Sequence, residues 1–98
     1  MISKLLKTTI FIALLTTHLQ ATADGPNYYR VVGVASNDVL WMRDKPHHRS
    51  PKIAQIPHNA RKITPIKCQW ITPKSRWCKV AYHGQIGWVN ARYLGEDL

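Results

Sequence analysis

Acids are scarce in this chain: five Asp and Glu residues stand against 14 Lys and Arg in 98 residues, a formal net charge of +9. Past residue 23 those acids are Asp24, Asp38, Asp44, Glu96 and Asp97. None forms a spaced pair on regular structure, so acid and base work by paired carboxylates is unsupported. Cysteine is nearly missing as well. Cys68 and Cys78 are the only two, and they belong to no Cys-x-x-Cys motif or Cys/His cluster of the kind that holds zinc. Ser36, Ser50 and Ser75 have no nucleophile-elbow motif around them. His47, His48, His58 and His83 lack helical or zinc-finger spacing, so neither a metal nor a cofactor is expected. There is no internal repeat, no low-complexity tract and no long amphipathic helical pattern. These absences exclude the common enzyme classes and leave an all-β fold of short strands.

What is present begins with a charged start, Met1 to Lys7 with Lys4 and Lys7 and no acid, followed by the apolar run Ile10-Phe11-Ile12-Ala13-Leu14-Leu15 and then Ala21-Thr22-Ala23. A basic region, a short apolar run and small residues two apart predict a cleavable signal peptide over residues 1–23. The run is too short to span a bilayer. Cleavage there leaves 75 of the 98 residues and, with Lys4 and Lys7 gone, a net charge of +7. Such a surplus draws anionic partners, and it equally describes a solvated basic face. A domain of this size has little core, and in an exported protein Cys68 and Cys78 read as a disulfide. That bond closes a loop from Gln69 to Trp77, with a loop-closure stabilisation of about 2 to 3 kcal/mol.

Residues 24–28 form a turn-rich leader with no reason to pack. Tyr28 to Val34 alternates β-formers into a first strand, closed by Ala35-Ser36-Asn37-Asp38. In Val39-Leu40-Trp41-Met42-Arg43, period two sends Leu40 and Met42 inward and Val39, Trp41 and Arg43 to the other face. Asp44 to Lys52, with Lys45, His47, His48, Arg49 and two prolines, is a basic loop. Ile53 to Ile56 is a third strand, and His58-Asn59 a turn in which Asn59 tolerates the left-handed conformation. Pro65 cannot donate to a ladder, which puts it on an edge or at a bulge. Gln69 to Arg76 reads as a hairpin loop held at its base by the disulfide. Two strands then flank His83-Gly84, a two-residue hairpin turn. Gly87 lies inside the second, where the missing side chain admits a close neighbour.

The spacing Gly87-Trp88-Val89, three residues, then Tyr93-Leu94 resembles the closing segment of SH3 domains, and of bacterial SH3-like (SH3b) domains in particular. Val39 to Arg43 followed by Asp44-Lys45-Pro46 resembles the SH3b signature Leu-Asn-Val-Arg-Ser-Gly-Pro, with Trp41 in place of a small polar residue and Lys45 in place of glycine. The resemblance implies a small SH3-like barrel of about five short strands over residues 29–95, with a 3₁₀ turn before the last strand and a tail at 96–98. It also implies a groove in which Trp77 and Tyr93 take the places of groove aromatics and Asn90 that of the groove proline. Each ring has a competing reading as core, strongest for Trp88, even for Trp77 and Tyr93, and weakest for Trp41 and Trp70.

The signal peptide and that resemblance together imply an exported module, periplasmic or extracellular and monomeric, that binds without catalysing and does not span the membrane. Its expected ligand-binding residues are Trp41, Arg43, Lys45, Arg49, Trp77, Asn90 and Tyr93. The family's usual partner is cell-wall peptidoglycan. Carboxylates of the stem peptides would suit Arg43, Lys45, Arg49 and Lys52, and sugar faces would stack on exposed rings. An acidic partner protein is the alternative. Polyanion binding ranks last, and no specific nucleic-acid partner is expected, because aromatic residues interleave only loosely with the basic ones.

Overall fold

The computed structural model describes residues 25–98, so the signal peptide expected over 1–23 lies outside the described residues. The fold is all-β. Its strands are β1 (Tyr29–Val31), β2 (Val39–Arg43), β3 (Lys52–Pro57), β4 (Thr64–Thr72), β5 (Ser75–Tyr82), β6 (Gln85–Asn90) and β7 (Leu94–Glu96), with a 3₁₀ turn, Ala91–Tyr93, between the last two. One antiparallel sheet has the order β3-β2-β6-β5-β4, and β1 pairs with β7 in a second. About five strands were expected and seven form, two of them, β1 and β7, being three-residue strands that pair with each other.

The β5–β6 hairpin is the centre of the larger sheet. His83 and Gly84 both take positive φ, 49° and 80°, the pattern of a type I′ turn, whose twist matches that of the strands it joins. Cys78 and Val80 on β5 face the core beside Val89 and Gly87, their register partners on β6. A Cβ on Gly87 would lie 2.7 Å from Ile53 Cδ1 and 2.9 Å from the Arg43 carbonyl oxygen, with Met42 Cγ closer still. The residue is glycine so that β2 can cross β6 at short range. On β2 the alternation runs as expected: Leu40 and Met42 are buried and their neighbours half-buried. With Val31, Ile56 and Ile63 they complete an apolar core that, among the described residues, holds no buried polar or charged residue.

The two sheets are stitched by backbone. Tyr29 N donates to Ile63 O at 2.8 Å and Ile63 N to Tyr29 O at 2.9 Å, which ties β1 to the residue before β4, while Val32 N, donating to Tyr93 O at 2.9 Å, continues the β1–β7 ladder by one pair. Pro65 lies on the edge strand β4, beside a register shift between Pro65 and Lys67, which answers to both of the places available to a strand proline. The Cys68–Cys78 disulfide joins directly opposed residues of β4 and β5.

Four expectations are corrected. The first strand is shorter than Tyr28 to Val34, covering Tyr29–Val31. Gln69 to Arg76 is no loop: the two strands continue past the disulfide to a turn at Pro73 and Lys74, since each residue extends a ladder already aligned by the bond. His58 and Asn59 do form a turn, but the left-handed residue of that connection is Lys62, at φ 56°. Lastly, the stretch expected to be a tail contributes to the structure. Asp97 N donates to Tyr28 O at 3.0 Å, and the Asp97 carboxylate, whose side chain is 5% exposed, accepts from Arg61 Nε at 2.9 Å and Lys62 N at 2.8 Å. Arg61 also forms an ion pair with it through its terminal nitrogen. That clasp holds Lys62 in a conformation that costs a non-glycine residue energy.

Candidate functional site: an aromatic hollow on the face away from the core

Residues of β5 and β6 that alternate with the core set point to the opposite face: Trp77, Lys79 and Ala81 on one strand, Ile86, Trp88 and Asn90 on the other. Trp88 is 8% exposed, and Lys67 Nζ stands 5.8 Å from its ring centre. At the other end of this face lies a hollow of about 560 Å³. Its walls draw on the β1–β2 connection, the basic loop and four further elements. Trp41 and Arg43 come from β2, Trp77 from β5, Asn90 from the end of β6, and Tyr93 from the 3₁₀ turn.

Each of these side chains is held in place. Trp77 forms the floor: it is 5% exposed, outside the main core cluster, and its Nε1 donates to Ser75 Oγ at 3.2 Å. Asn90 caps the 3₁₀ turn, its Oδ1 accepting from Arg92 N at 3.0 Å. An asparagine in this place satisfies an amide that has no partner within the turn. Tyr93 is half-buried and lies against Gly33, where a Cβ would meet its Cδ1 at 3.8 Å. Trp41 is half-buried rather than exposed, because Lys52 Nζ covers it at 4.4 Å from the ring centre, in cation–π range. Arg43 Nη1 donates to Ser50 O at 2.8 Å and so anchors the basic loop of residues 44–51.

That loop is braced from within. Asp44 N donates to Pro51 O at 3.0 Å, Arg49 N donates to His47 Nδ1 at 2.9 Å, and the Ser50 hydroxyl, with one proton to share, lies 2.9 Å from the carbonyl oxygens of both Lys45 and His47. The His47 and His48 rings stack at 4.8 Å. The bracing turns His48 to the hollow and leaves Lys45 and Arg49 exposed and off its walls. Lys45 instead pairs with Asp44 at 3.7 Å.

Of the seven expected residues, five therefore meet in one hollow, and Lys45 and Arg49 do not. His48 and Asp38 were missed. Asp38 is the single acid on the walls, and its Oδ1 accepts from the next backbone amide, Val39 N, at 2.7 Å. The cue to His48 was its place in the basic loop; which residue of a loop turns inward depends on hydrogen bonds that no periodicity encodes. Chemically the hollow offers ring faces, a guanidinium, an imidazole, an amide and the Asp38 carboxylate. Among the described residues no three His, Cys, Asp or Glu side chains gather as metal ligands, and no helix is long and apolar enough to cross a membrane. No family model, curated protein or solved structure matches the chain.

Proposed function

We propose that this chain is an exported, non-catalytic binding module of SH3b type, a small barrel whose ligand is cell-wall peptidoglycan, gripped through its peptide stems. The observation that carries the reading is the convergence of Trp41, Trp77 and Tyr93 with Arg43 and His48 on one hollow. Rings, a guanidinium and an imidazole drawn from distant parts of the chain and set around a cleft are the composition of a ligand site, apolar walls with a few polar groups that fix orientation. Stem carboxylates would meet Arg43 and His48, with Lys52 behind Trp41. The disulfide is compatible with an oxidising compartment and supports export. A second reading, an acidic partner protein, is favoured by one observation: Lys45 and Arg49 are exposed beside the hollow rather than in it.

Co-sedimentation with purified peptidoglycan at low and high salt separates the two, run beside a Trp41→Ala/Tyr93→Ala variant. Salt-resistant pelleting that the variant loses, by about tenfold or more in affinity, supports the wall ligand. Pelleting that salt abolishes and the variant retains would assign it to charge alone. No pelleting turns the search to acidic proteins. Both rings are half-buried and Tyr93 packs against the core, so the variant is expected to melt lower, and its binding is compared with that of the wild type at a temperature where both are folded.

A further inference from the structure

Beyond the tip of the disulfide-linked hairpin lies a second hollow, of about 850 Å³, between the β4–β5 turn and the segment Asn90 to Arg92. Trp70 lies on its wall and is 65% exposed, the most exposed of the large aromatic residues. Arg76 is its direct cross-strand partner, and residues so opposed share a face of the sheet. Lys74 follows in the turn, where its amide is tied to Thr72 Oγ1 at 3.2 Å. Arg92 approaches from the other side, its backbone set by the Asn90 cap.

Three cations thus surround one hollow that no acid lines. Both ion pairs of the described residues lie elsewhere, Lys45 with Asp44 and Arg61 with Asp97. Like charges gathered this way repel one another, and an anion placed among them relieves the repulsion. A large ring left in water beside them adds an apolar surface on which a flat, carbon-rich ligand can rest. Proteins that bind a nucleic-acid strand set successive rings along a groove, whereas Trp70 is the only ring on these walls. One ring with several cations suits a single ring-sized anionic unit.

We propose that this hollow is a second ligand subsite that takes one unit of an acidic saccharide, its C–H face on Trp70 and its carboxylate or phosphate among Lys74, Arg76 and Arg92. The subsite adjoins the first hollow, since Asn90 lines both, Trp77 Nε1 donates to Ser75 Oγ and the Arg92 guanidinium lies 5.6 Å from the Tyr93 ring centre, but its own ring and cations lie off the first hollow's walls and it does not depend on the first hollow's ligand.

The test is a titration of isotope-labelled protein with N-acetylmuramic acid, glucosamine phosphate, neutral chitobiose and a short oligothymidylate, following the Trp70 indole N–H and the Arg92 amide by NMR. At least one acidic sugar is expected to move both signals, and chitobiose neither. Movement by the muramic acid points to carboxylate-bearing wall saccharides, and movement by the phosphate to phosphorylated ones. A Lys74→Ala/Arg92→Ala variant should weaken that binding about tenfold or more with its melting temperature unchanged, since both side chains are exposed. Silence from both acidic sugars, an equal response to chitobiose, no loss of affinity in the variant, or tighter binding of the oligothymidylate through the same signals would each overturn the proposal.

Discussion

The terminal seam and the two hollows use charge in opposite ways. At the seam, where β1 pairs with β7, Asp97 holds Arg61 and the Lys62 amide, and Arg30 Nε donates to Glu96 O at 3.2 Å. Around the hollows, Arg43, Lys74, Arg76 and Arg92 form no ion pair among the described residues. The acids are few, and one of them is spent on closing the fold. The lesson is about placement: an excess of cations is informative where carboxylates are within reach elsewhere and are not used.

The largest way to break this division is Trp77→Ala. Its ring is a wall of the first hollow and is also buried, so truncation should cost about 3 to 5 kcal/mol of stability, read as a fall in the denaturant midpoint. A change below about 1 kcal/mol would mean that the ring only lines the hollow. Next comes the Cys68→Ala/Cys78→Ala pair. Loss of loop closure predicts about 2 to 3 kcal/mol, a drop of roughly 10 to 20 °C in melting temperature for a domain of this size, and the Trp70 hairpin tip should show the greatest rise in amide exchange. Smallest is Asp97→Asn. Hydrogen bonds from Arg61, then from the Lys62 amide, hold the Asp97 carboxyl below the ordinary carboxylate range, outweighing its partial burial; the same contact raises the Arg61 pKa. A lowered folded-state pKa contributes stability that is present above the unfolded value, near 4, and fades as the pH falls through the lowered one. The wild type should therefore lose melting temperature below about pH 4, the variant should melt lower at neutral pH with a flatter acid limb, and binding at either hollow should be untouched.

How much of this the sequence carried depends on the range of the forces involved. The β2 alternation, the His83-Gly84 turn, the close approach at Gly87 and the cysteine pair were legible, because each is written in neighbouring residues or in one chemical possibility. So was the grouping of Trp41, Arg43, Trp77, Asn90 and Tyr93, although four segments supply them: the SH3b resemblance pointed to Trp77, Asn90 and Tyr93, and an unusual ring and a charge on β2 pointed to Trp41 and Arg43. The Asp97 clasp was not. Its partner Arg61 lies 36 residues away, and a short polar end looks the same in sequence whether it is clasped or free. The length of β4 and β5 was hidden too, since Gln69 to Arg76 is polar and turn-like and becomes strand only through cross-strand pairing. Lys62 escaped for the same reason: its left-handed φ is imposed by Asp97, not by its own side chain.

The pairing of the first described strand with the last also has a mechanical consequence. Tyr29 sits opposite Glu96 and Val31 opposite Leu94, so tension applied through the chain on either side of the domain enters at the same end of that ladder. Its hydrogen bonds would then open one at a time, like a zipper, instead of bearing the load together in shear. A module pulled by its two flanks would yield first at the seam, while the hairpin locked by the disulfide kept its shape.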